Sequence, residues 1–183
     1  MVISVTTYEQ LALEDEDGQW ELVCGRLRQK PGMTAQHNEL MRTLTLLLGA
    51  QLDRRQYSVG MNSARTRVSA ESVYLPDVLV IPRRLVERAI ASRSTGLEVY
   101  SEPLPLVVEV WSPSTGDYDV EAKLPEYQRR GDAEIWRLHP YERTLTTWRR
   151  QADGSYTETV YREGVIEPIA LPGVRIALAD LFA

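Results

Sequence analysis

Apolar residues recur three and four positions apart between residues 34 and 55, which predicts a helix with one buried face. Thr34 is a suitable N-cap for this helix, and the periodicity ends near Arg55. The positions on the predicted buried face are Leu40, Met41, Leu44, Leu47, Leu48 and Leu52. A shorter helix is predicted over residues 7–14, with Thr6 as its N-cap.

A further helix is predicted in the second half of the chain, over residues 119–130. Gly131 closes it, because glycine readily adopts the left-handed conformation that ends helices. Pro125 lies inside this segment and indicates either a kink or a late helix start. Residues 83–102 have a mixed pattern that predicts a short helix and a loop.

Alternating or wholly apolar runs predict strands in the rest of the chain. Residues 19–29 alternate around Cys24-Gly25, which fits both a strand pair and a single bent strand. The segment 106–111 is apolar on both faces, so its strand is expected to be central in a sheet. The other predicted strands are 57–68, 73–81, 133–138, 144–149, 156–161 and 174–178. The last four of these are expected to form an antiparallel run, with turns at Asp153-Gly154 and Glu163-Gly164.

Together these elements predict an α+β fold, in which a mixed sheet carries the long helix on one face and a second helix follows the central strand. The chain has 183 residues, 43% apolar and 26% charged, which is an ordinary globular balance. No repeat or linker interrupts it, so residues 1–183 are interpreted as a single domain. No apolar run approaches the ~20 residues that cross a bilayer, and the N-terminus does not resemble a signal peptide.

Cysteine content and charge narrow the possible surroundings and partners. The single cysteine, Cys24, is predicted to be a small buried residue; it favours a reducing cytoplasm and excludes a cysteine-rich zinc site. The net charge of −5 gives no overall sign of nucleic-acid binding, yet residues 26–67 carry eight bases against two acids, a local excess of +6. This excess fits either a basic face that meets phosphate or the solvated side of a helix and two strands.

Two acids, Asp77 and Glu109, stand inside apolar strand segments. A buried carboxylate must be protonated, paired or bound to a cation, because leaving it charged and alone costs several kcal/mol. If the two strands are neighbours, both carboxylates can point into one cavity, where a divalent cation would relieve their repulsion. Carboxylate oxygens suit Mg²⁺ or Mn²⁺. The alternatives are a turn residue after Pro76 for Asp77 and pairing with Arg137 or Arg65 for Glu109.

A lysine follows in the next predicted helix. Lys123 lies fourteen positions after Glu109 (123 − 109), and a helix there would pack back over the sheet and bring the ammonium group to the pocket. It could help to position or deprotonate a metal-bound water, or stabilise charge on an attacked phosphate. Tyr127, four residues on, lies on the same helix face. The alternatives are a solvated lysine and a tyrosine that packs with its hydroxyl tethered.

Other conspicuous residues are assigned structural roles. Glu21 is interpreted as an exposed strand acid rather than as a further acid of the pocket. The separated histidines His37 and His139 do not make a zinc site, and structural or surface roles are expected for them. The tryptophans expected in the core or at an interface are Trp111, Trp136 and Trp148.

The order and spacing of several motifs resemble the Uma family of endonucleases. The stretches that carry the resemblance are PDVLVI (76–81), VVEVWSPST (107–115), Asp119-x-x-x-Lys123, Tyr127, Gly131 and EIW (134–136). WELVCGRL (20–27) and His37 at the head of the long helix are also similar to this family, so the resemblance covers nearly the whole chain. The Uma family belongs to the restriction-endonuclease-like superfamily, whose signature is PD…(D/E)xK.

The resemblance implies a restriction-endonuclease-like fold, with a mixed β-sheet core, flanking helices and additional antiparallel strands. It implies that Asp77 is the PD aspartate and that Glu109 is the acid of the (D/E)xK element. The backbone carbonyl of Val110 would complete a site for Mg²⁺ or Mn²⁺. The lysine usually found two residues after the acid is replaced by Trp111, and Lys123 on the following helix takes its place.

The implied function is metal-dependent hydrolysis of DNA phosphodiester bonds by a homodimer, with no small-molecule cofactor and no membrane partner. The choice of DNA rests on analogy with the family. The alternative is a catalytically inactive nuclease-fold domain that binds nucleic acid or a protein partner. The acidic net charge and the missing lysine of the (D/E)xK element motivate this alternative.

Overall fold

A six-stranded mixed sheet forms the centre of the computed structural model, which describes residues 2–15, 17–92 and 95–183. The helices are α1 (Val5–Glu14), α2 (Ala35–Gln51), α3 (Arg83–Ser92), α4 (Leu124–Arg130) and α5 (Leu178–Leu181), and a π-helical turn (Asp119–Lys123) precedes α4. The first strands are β1 (Trp20–Val23), β2 (Arg26–Gln29), β3 (Tyr57–Met61), β4 (Arg65–Arg67), β5 (Val73–Tyr74), β6 (Val78–Pro82) and β7 (Val99–Tyr100). The remaining strands are β8 (Leu106–Val110), β9 (Glu134–His139), β10 (Thr144–Arg150), β11 (Tyr156–Tyr161), β12 (Val165–Ile166) and β13 (Ile176–Ala177).

The central sheet has the strand order β11-β10-β9-β8-β6-β3, and only the β8–β9 pair is parallel. Strand β8 is fully buried and lies inside this sheet, which confirms the prediction from its apolar faces. Helix α2 covers one face, where Leu44 and Leu48 pack with Val108 and Val110. Since side chains alternate along a strand, Glu109 points to the opposite face.

A second sheet, with the order β2-β1-β5-β4-β7, lies against the face of the central sheet that is opposite α2. Its β1–β2 hairpin turns at Cys24 (φ 48°) and Gly25 (φ 74°), and two residues with positive φ are typical of tight hairpins. The alternation over 19–29 is therefore a strand pair. Cys24 is exposed at this turn, so the prediction that it is buried was wrong.

Two of the long predicted strands are each divided between the two sheets. The segment predicted over 57–68 forms β3 and β4, and it breaks at Asn62, which has φ 51°. The segment predicted over 73–81 forms β5 and β6, and it breaks between Leu75 and Asp77. At the second break the periodicity could not reveal the change of sheet, because buried apolar residues continue on both sides of it, with Tyr74 before and Val78 after.

Three element boundaries also differ from the predictions. Helix α1 begins after Ser4, whose hydroxyl accepts from the Thr7 amide, so Thr6 is not its cap. Helix α2 is capped by Thr34 as predicted but ends at Gln51, because the chain is already extended at Leu52. At the C-terminal end only β9, β10 and β11 form an antiparallel run. Strand β13 instead pairs with β12 in a separate two-stranded sheet.

The helix predicted over 119–130 is a π-helical turn followed by α4. Pro125 has no amide hydrogen and would clash with the carbonyl four residues back, so a regular α-helix cannot run through it. The Leu124 amide instead reaches back to the Asp119 carbonyl, five residues away. This late α-helical start leaves both Asp119 and Lys123 buried on the wide turn.

The aromatic residues divide between the core and one strand end. Trp136 and Trp148 are buried in the two main apolar clusters, as predicted. Trp111 is half-buried and stacks on His139 with their ring centroids 4.3 Å apart, so this histidine has a packing role.

Two glycines of this fold should respond to alanine in opposite directions. Gly131 ends α4 with φ 89°, so Gly131→Ala should destabilise the protein by about 1–2 kcal/mol through backbone strain alone. Gly49 lies inside α2, and an added Cβ meets nothing within 4 Å, so Gly49→Ala should stabilise by about 0.5–1 kcal/mol. Urea unfolding of both variants measures the difference. Equal free energies of unfolding would contradict the assigned conformation at Gly131.

Candidate active site

A small cavity lies where β1 and β2 of the second sheet approach β8 of the central sheet, and we call it the acidic cavity. Its lining residues are Glu21, Arg28, Lys30, Pro31, Met33, Asp77, Glu109, Val110, Thr115, Tyr118, Asp119 and Lys123. The volume of about 10 Å³ gives room for roughly one water molecule or one ion. The cavity brings together all four residues that the sequence assigned to the site: Asp77, Glu109, Val110 and Lys123.

Asp77 lies at the bend between β5 and β6, and three hydrogen-bonding groups contact its carboxylate. The Lys30 ammonium group lies 2.6 Å from its Oδ1, while Nε2 of His37 lies 3.2 Å from its Oδ2. The Val110 amide also donates to Oδ2, over 2.7 Å. Burial alone would raise the pKa of Asp77, but Lys30 and His37 outweigh it and hold the pKa well below its usual range. Asp77 is therefore an ionised, buried carboxylate and not a solvated turn residue.

Glu109 is held by a tyrosine and a lysine, not by an arginine. Its Oε1 accepts from the Tyr127 hydroxyl at 2.6 Å and from Lys123 Nζ at 3.2 Å. The predicted alternative partners bind elsewhere: Arg137 donates to Asp117 and Gly116, and Arg65 donates to Tyr8 and Ser63. Burial raises the pKa of Glu109 to about 8; Lys123 opposes that rise, and the nearby acids Asp119 and Asp77 add to it.

Lys123 contacts three carboxylates of the cavity. Its Nζ lies 2.9 Å from Glu21, 3.2 Å from Glu109 and 3.4 Å from Asp119. It is buried, which excludes the solvated alternative. Burial alone would lower the pKa of Lys123, but the carboxylates of Glu109, Glu21 and Asp119 outweigh it and hold the pKa well above its usual value. Lys123 is therefore a permanent cation at neutral pH.

The structure adds residues to the site that sequence reasoning missed or assigned elsewhere. Glu21 is buried and also accepts from the Leu75 amide at 2.9 Å, so its interpretation as an exposed acid was wrong. Lys30 was only one of eight bases in a positive stretch, and nothing local marks it as buried. The sequence did contain a signal for Asp119: its i,i+4 spacing to Lys123 places both side chains on one side of a helical turn.

His37 was given a structural or surface role, and it lies completely buried at the start of α2. Its Nε2 contacts Asp77, while its Nδ1 has no hydrogen-bond partner within the described ranges. Tyr127 packs in the core and its hydroxyl is tethered to Glu109, as expected for a packing residue with a tethered hydroxyl.

The charges of the acidic cavity do not cancel. Its buried charged side chains are Glu21, Asp77, Glu109, Asp119, Lys30 and Lys123. Four carboxylates against two ammonium groups leave an excess of two negative charges (4 − 2) when all are ionised. Such an excess in a buried place requires protons or a cation. Without a cation, Glu109 and Asp119 are the acids that favour a proton, because burial raises the pKa of both.

The donors present fit a hard divalent cation. Carboxylate oxygens are the ligands that Mg²⁺ and Mn²⁺ prefer, the excess of buried carboxylates over ammonium groups favours a cation, and the space suits one ion. In the part of the chain that the structure describes, no three His, Cys, Asp or Glu side chains converge as a ready-made metal cluster. A site here consequently depends on Asp77, Glu109 and a backbone carbonyl such as that of Val110.

The chain has a nuclease-like fold. Its architecture matches the crystal structure of a putative nuclease belonging to DUF820 from Anabaena variabilis, with a TM-score of 0.71 and 17% sequence identity over 89% of each chain. A family model described as "Uma2: Putative restriction endonuclease" matches residues 5–179, so the chain belongs to the Uma2 family. The predicted family and fold class are thereby confirmed.

Two further findings concern curated relatives and membrane-spanning helices. No curated protein matches the chain significantly. Within the described residues, no helix has the length and apolar character needed to cross a bilayer.

Proposed function

We propose that this protein is a metal-dependent endonuclease that hydrolyses phosphodiester bonds in DNA. The observation that carries the proposal is the excess of buried carboxylates over buried ammonium groups, four against two, in a cavity with a volume of about 10 Å³. A divalent cation of the Mg²⁺ or Mn²⁺ type neutralises that excess. Membership of a family of putative restriction endonucleases supports the choice of nucleic acid as substrate.

The carboxylates of Asp77 and Glu109 and the backbone carbonyl of Val110 would hold the cation. When bound, such a cation polarises the phosphate and lowers the pKa of a bound water. Lys30 and His37 fix the orientation of Asp77, and Tyr127 fixes that of Glu109 through its hydroxyl.

Lys123 has the role of a charge stabiliser. The neighbouring carboxylates hold the pKa of Lys123 well above its usual value, which favours its protonated form. Its ammonium group can donate hydrogen bonds to a water or to a phosphate oxygen, and it can stabilise the negative charge that grows during attack on the phosphate. Its three carboxylate contacts keep it in place for this role.

Supercoiled plasmid incubated with Mg²⁺ or Mn²⁺ tests the proposal. The wild type should cut it, chelation of the metal should stop the reaction, and Asp77→Asn should lower the rate by at least about 100-fold. Asp153→Asn is the matched control, because Asp153 lies exposed in the turn between β10 and β11 and should cut at the wild-type rate. Cleavage that persists in the chelator, or equal rates for Asp77→Asn and wild type, would contradict the assignment.

A second candidate function is supported by the pairing of each acid with its own lysine. The Asp77–Lys30 and Glu109–Lys123 contacts give each of the two acids a cationic partner without a metal, as a domain that binds without cutting would require. Calorimetry with millimolar Mg²⁺ or Mn²⁺ separates the two functions. No metal binding, together with retention of DNA in a gel shift, would favour the non-cutting domain.

The assembly and the location are also proposals. A homodimer suits cleavage of both strands of a duplex, and a two-fold contact is the commonest form of association. The outer edge of β11, where Val160 is 52% exposed, is a candidate contact surface near the C-terminus. A reducing cytoplasm suits a chain with one exposed cysteine.

A further inference from the structure

The acidic cavity is closed to a substrate in this structure. Space for roughly one water molecule cannot admit a phosphodiester group, so the mouth of the cavity must open before Glu109 and Lys123 meet a phosphate. The residues at the mouth are half-buried, whereas the acids and lysines behind them are buried. These mouth residues are Arg28, Pro31, Met33, Thr115 and Tyr118.

A contact between Arg28 and Tyr118 bridges the two sides of this mouth. The guanidinium carbon of Arg28 lies 3.2 Å from the centre of the Tyr118 ring. Arg28 is on β2, directly opposite Glu21 of β1 in the hairpin register, so both side chains are on the same face of the sheet. Tyr118 immediately precedes the π-helical turn that carries Asp119 and Lys123. The stack therefore links the hairpin to the segment that positions the lysine.

The groups in this stack have unused capacity to bind an anion. A guanidinium over an aromatic face keeps its N–H donors in the ring-parallel plane, free for a planar or phosphate-like acceptor. The hydroxyl oxygen of Tyr118 is buried, and it has no hydrogen-bond partner among the residues described. A phosphate oxygen at the mouth would supply the acceptor that the hydroxyl lacks and a charged partner for Arg28.

We propose that Arg28 is a phosphate-binding residue, held over Tyr118 until a backbone phosphate of the nucleic acid takes its guanidinium and opens the acidic cavity. The inference rests on the proposed function, because it identifies the group that receives the substrate of the same site. Arg28 reads no base; it contributes one phosphate contact and controls entry.

Binding measured apart from cutting tests this role. Each variant is made in a Glu109→Gln background, and fluorescence anisotropy follows its affinity for a labelled DNA duplex in Mg²⁺ over a series of salt concentrations. Arg28→Gln should weaken binding by about 10–100-fold, as expected for a lost charge-assisted hydrogen bond. It should also reduce the slope of log K against log salt by about 1, which a merely structural change would not do.

Two further variants separate the parts of the proposal. Tyr118→Leu removes the ring that holds Arg28 but leaves its charge, so the affinity should equal or exceed that of the parent. Arg26→Gln removes the same charge from an exposed position on the same strand that does not line the cavity, and it should change the affinity by less than Arg28→Gln. Melting curves for each variant check that it is folded.

The outcomes are distinguishable. Equal affinity and salt slope for Arg28→Gln and its parent, while the wild type cuts DNA, would overturn the role of Arg28 and leave the nuclease intact. An equal loss of affinity in Arg26→Gln and Arg28→Gln would show that any positive charge on this strand has the same effect. That result would also overturn the phosphate-binding role of Arg28. If Tyr118→Leu loses as much affinity for DNA as Arg28→Gln does, the proposal that Arg28 is held over the Tyr118 ring before phosphate binds would be overturned. A wild type that neither binds nor cuts DNA would overturn both proposals.

Discussion

Glu109→Gln should abolish the stabilisation of this protein by Mn²⁺ without unfolding it. In the wild type, metal at about 100 times its dissociation constant should contribute about 2.7 kcal/mol, which for a chain of this size raises the melting temperature by roughly 5–10 °C. The variant loses one ligand and one of the two excess charges, so no comparable rise is expected. Differential scanning fluorimetry with and without MnCl₂ measures both proteins.

The prediction also covers the melting temperatures of the two proteins without metal. Because Glu109 favours a proton in the metal-free protein, glutamine replaces a neutral side chain of the same shape, so the melting temperature of metal-free Glu109→Gln should stay close to that of the wild type. Glu163→Gln, at an exposed position outside the cavity, should respond to Mn²⁺ as the wild type does. A full Mn²⁺ response in Glu109→Gln would show that the ion binds elsewhere.

Lys123→Met should cause the largest loss of stability of any substitution in the site. The change leaves Glu21, Glu109 and Asp119 without the cation that they share, and breaking a buried ion pair costs about 3–5 kcal/mol. For a chain of this size the melting temperature should fall by roughly 6–20 °C. Cleavage should be lost even where the variant is folded, because the other ammonium group of the cavity, that of Lys30, is bound to Asp77.

Metal and an exposed ion pair serve as controls for Lys123. Since the variant has a larger negative excess, Mn²⁺ should raise its melting temperature by more than it raises that of the wild type. Arg129→Met breaks the exposed Arg129–Glu126 pair on α4, and its melting temperature should stay within the scatter of the measurement. A Lys123→Met protein that melts with the wild type would show that the three acids do not depend on this lysine.

The sequence indicated the two acids of the site because each is a charged residue within an apolar segment. A carboxylate between apolar residues, as at Asp77 and Glu109, requires a compensating partner wherever the strands lie. Helical spacing placed Tyr127 beside Lys123, and that relation holds in the structure. The central position of β8 followed from its two apolar faces. These inferences needed only local pattern and the cost of burying charge.

The rest of the cavity depends on how the two sheets meet, which no local pattern encodes. Glu21 looks like an exposed strand acid until Lys123, 102 positions later (123 − 21), covers it. Lys30 follows the edge strand β2, and it is buried only because the chain returns to place Asp77 and Leu75 beside it. His37 has the same relation to Asp77 across forty positions. Their partners come from distant segments, so their roles emerge only from the fold.

Anomalous diffraction from a crystal soaked in MnCl₂ is the most direct test of whether an ion is shared by the two strands. We expect one strong manganese peak bound by the carboxylates of Asp77 and Glu109, with the Val110 carbonyl as a further ligand. A soaked crystal without that peak, in which Lys30 still pairs with Asp77 and Lys123 with Glu109, would contradict the metal-dependent mechanism.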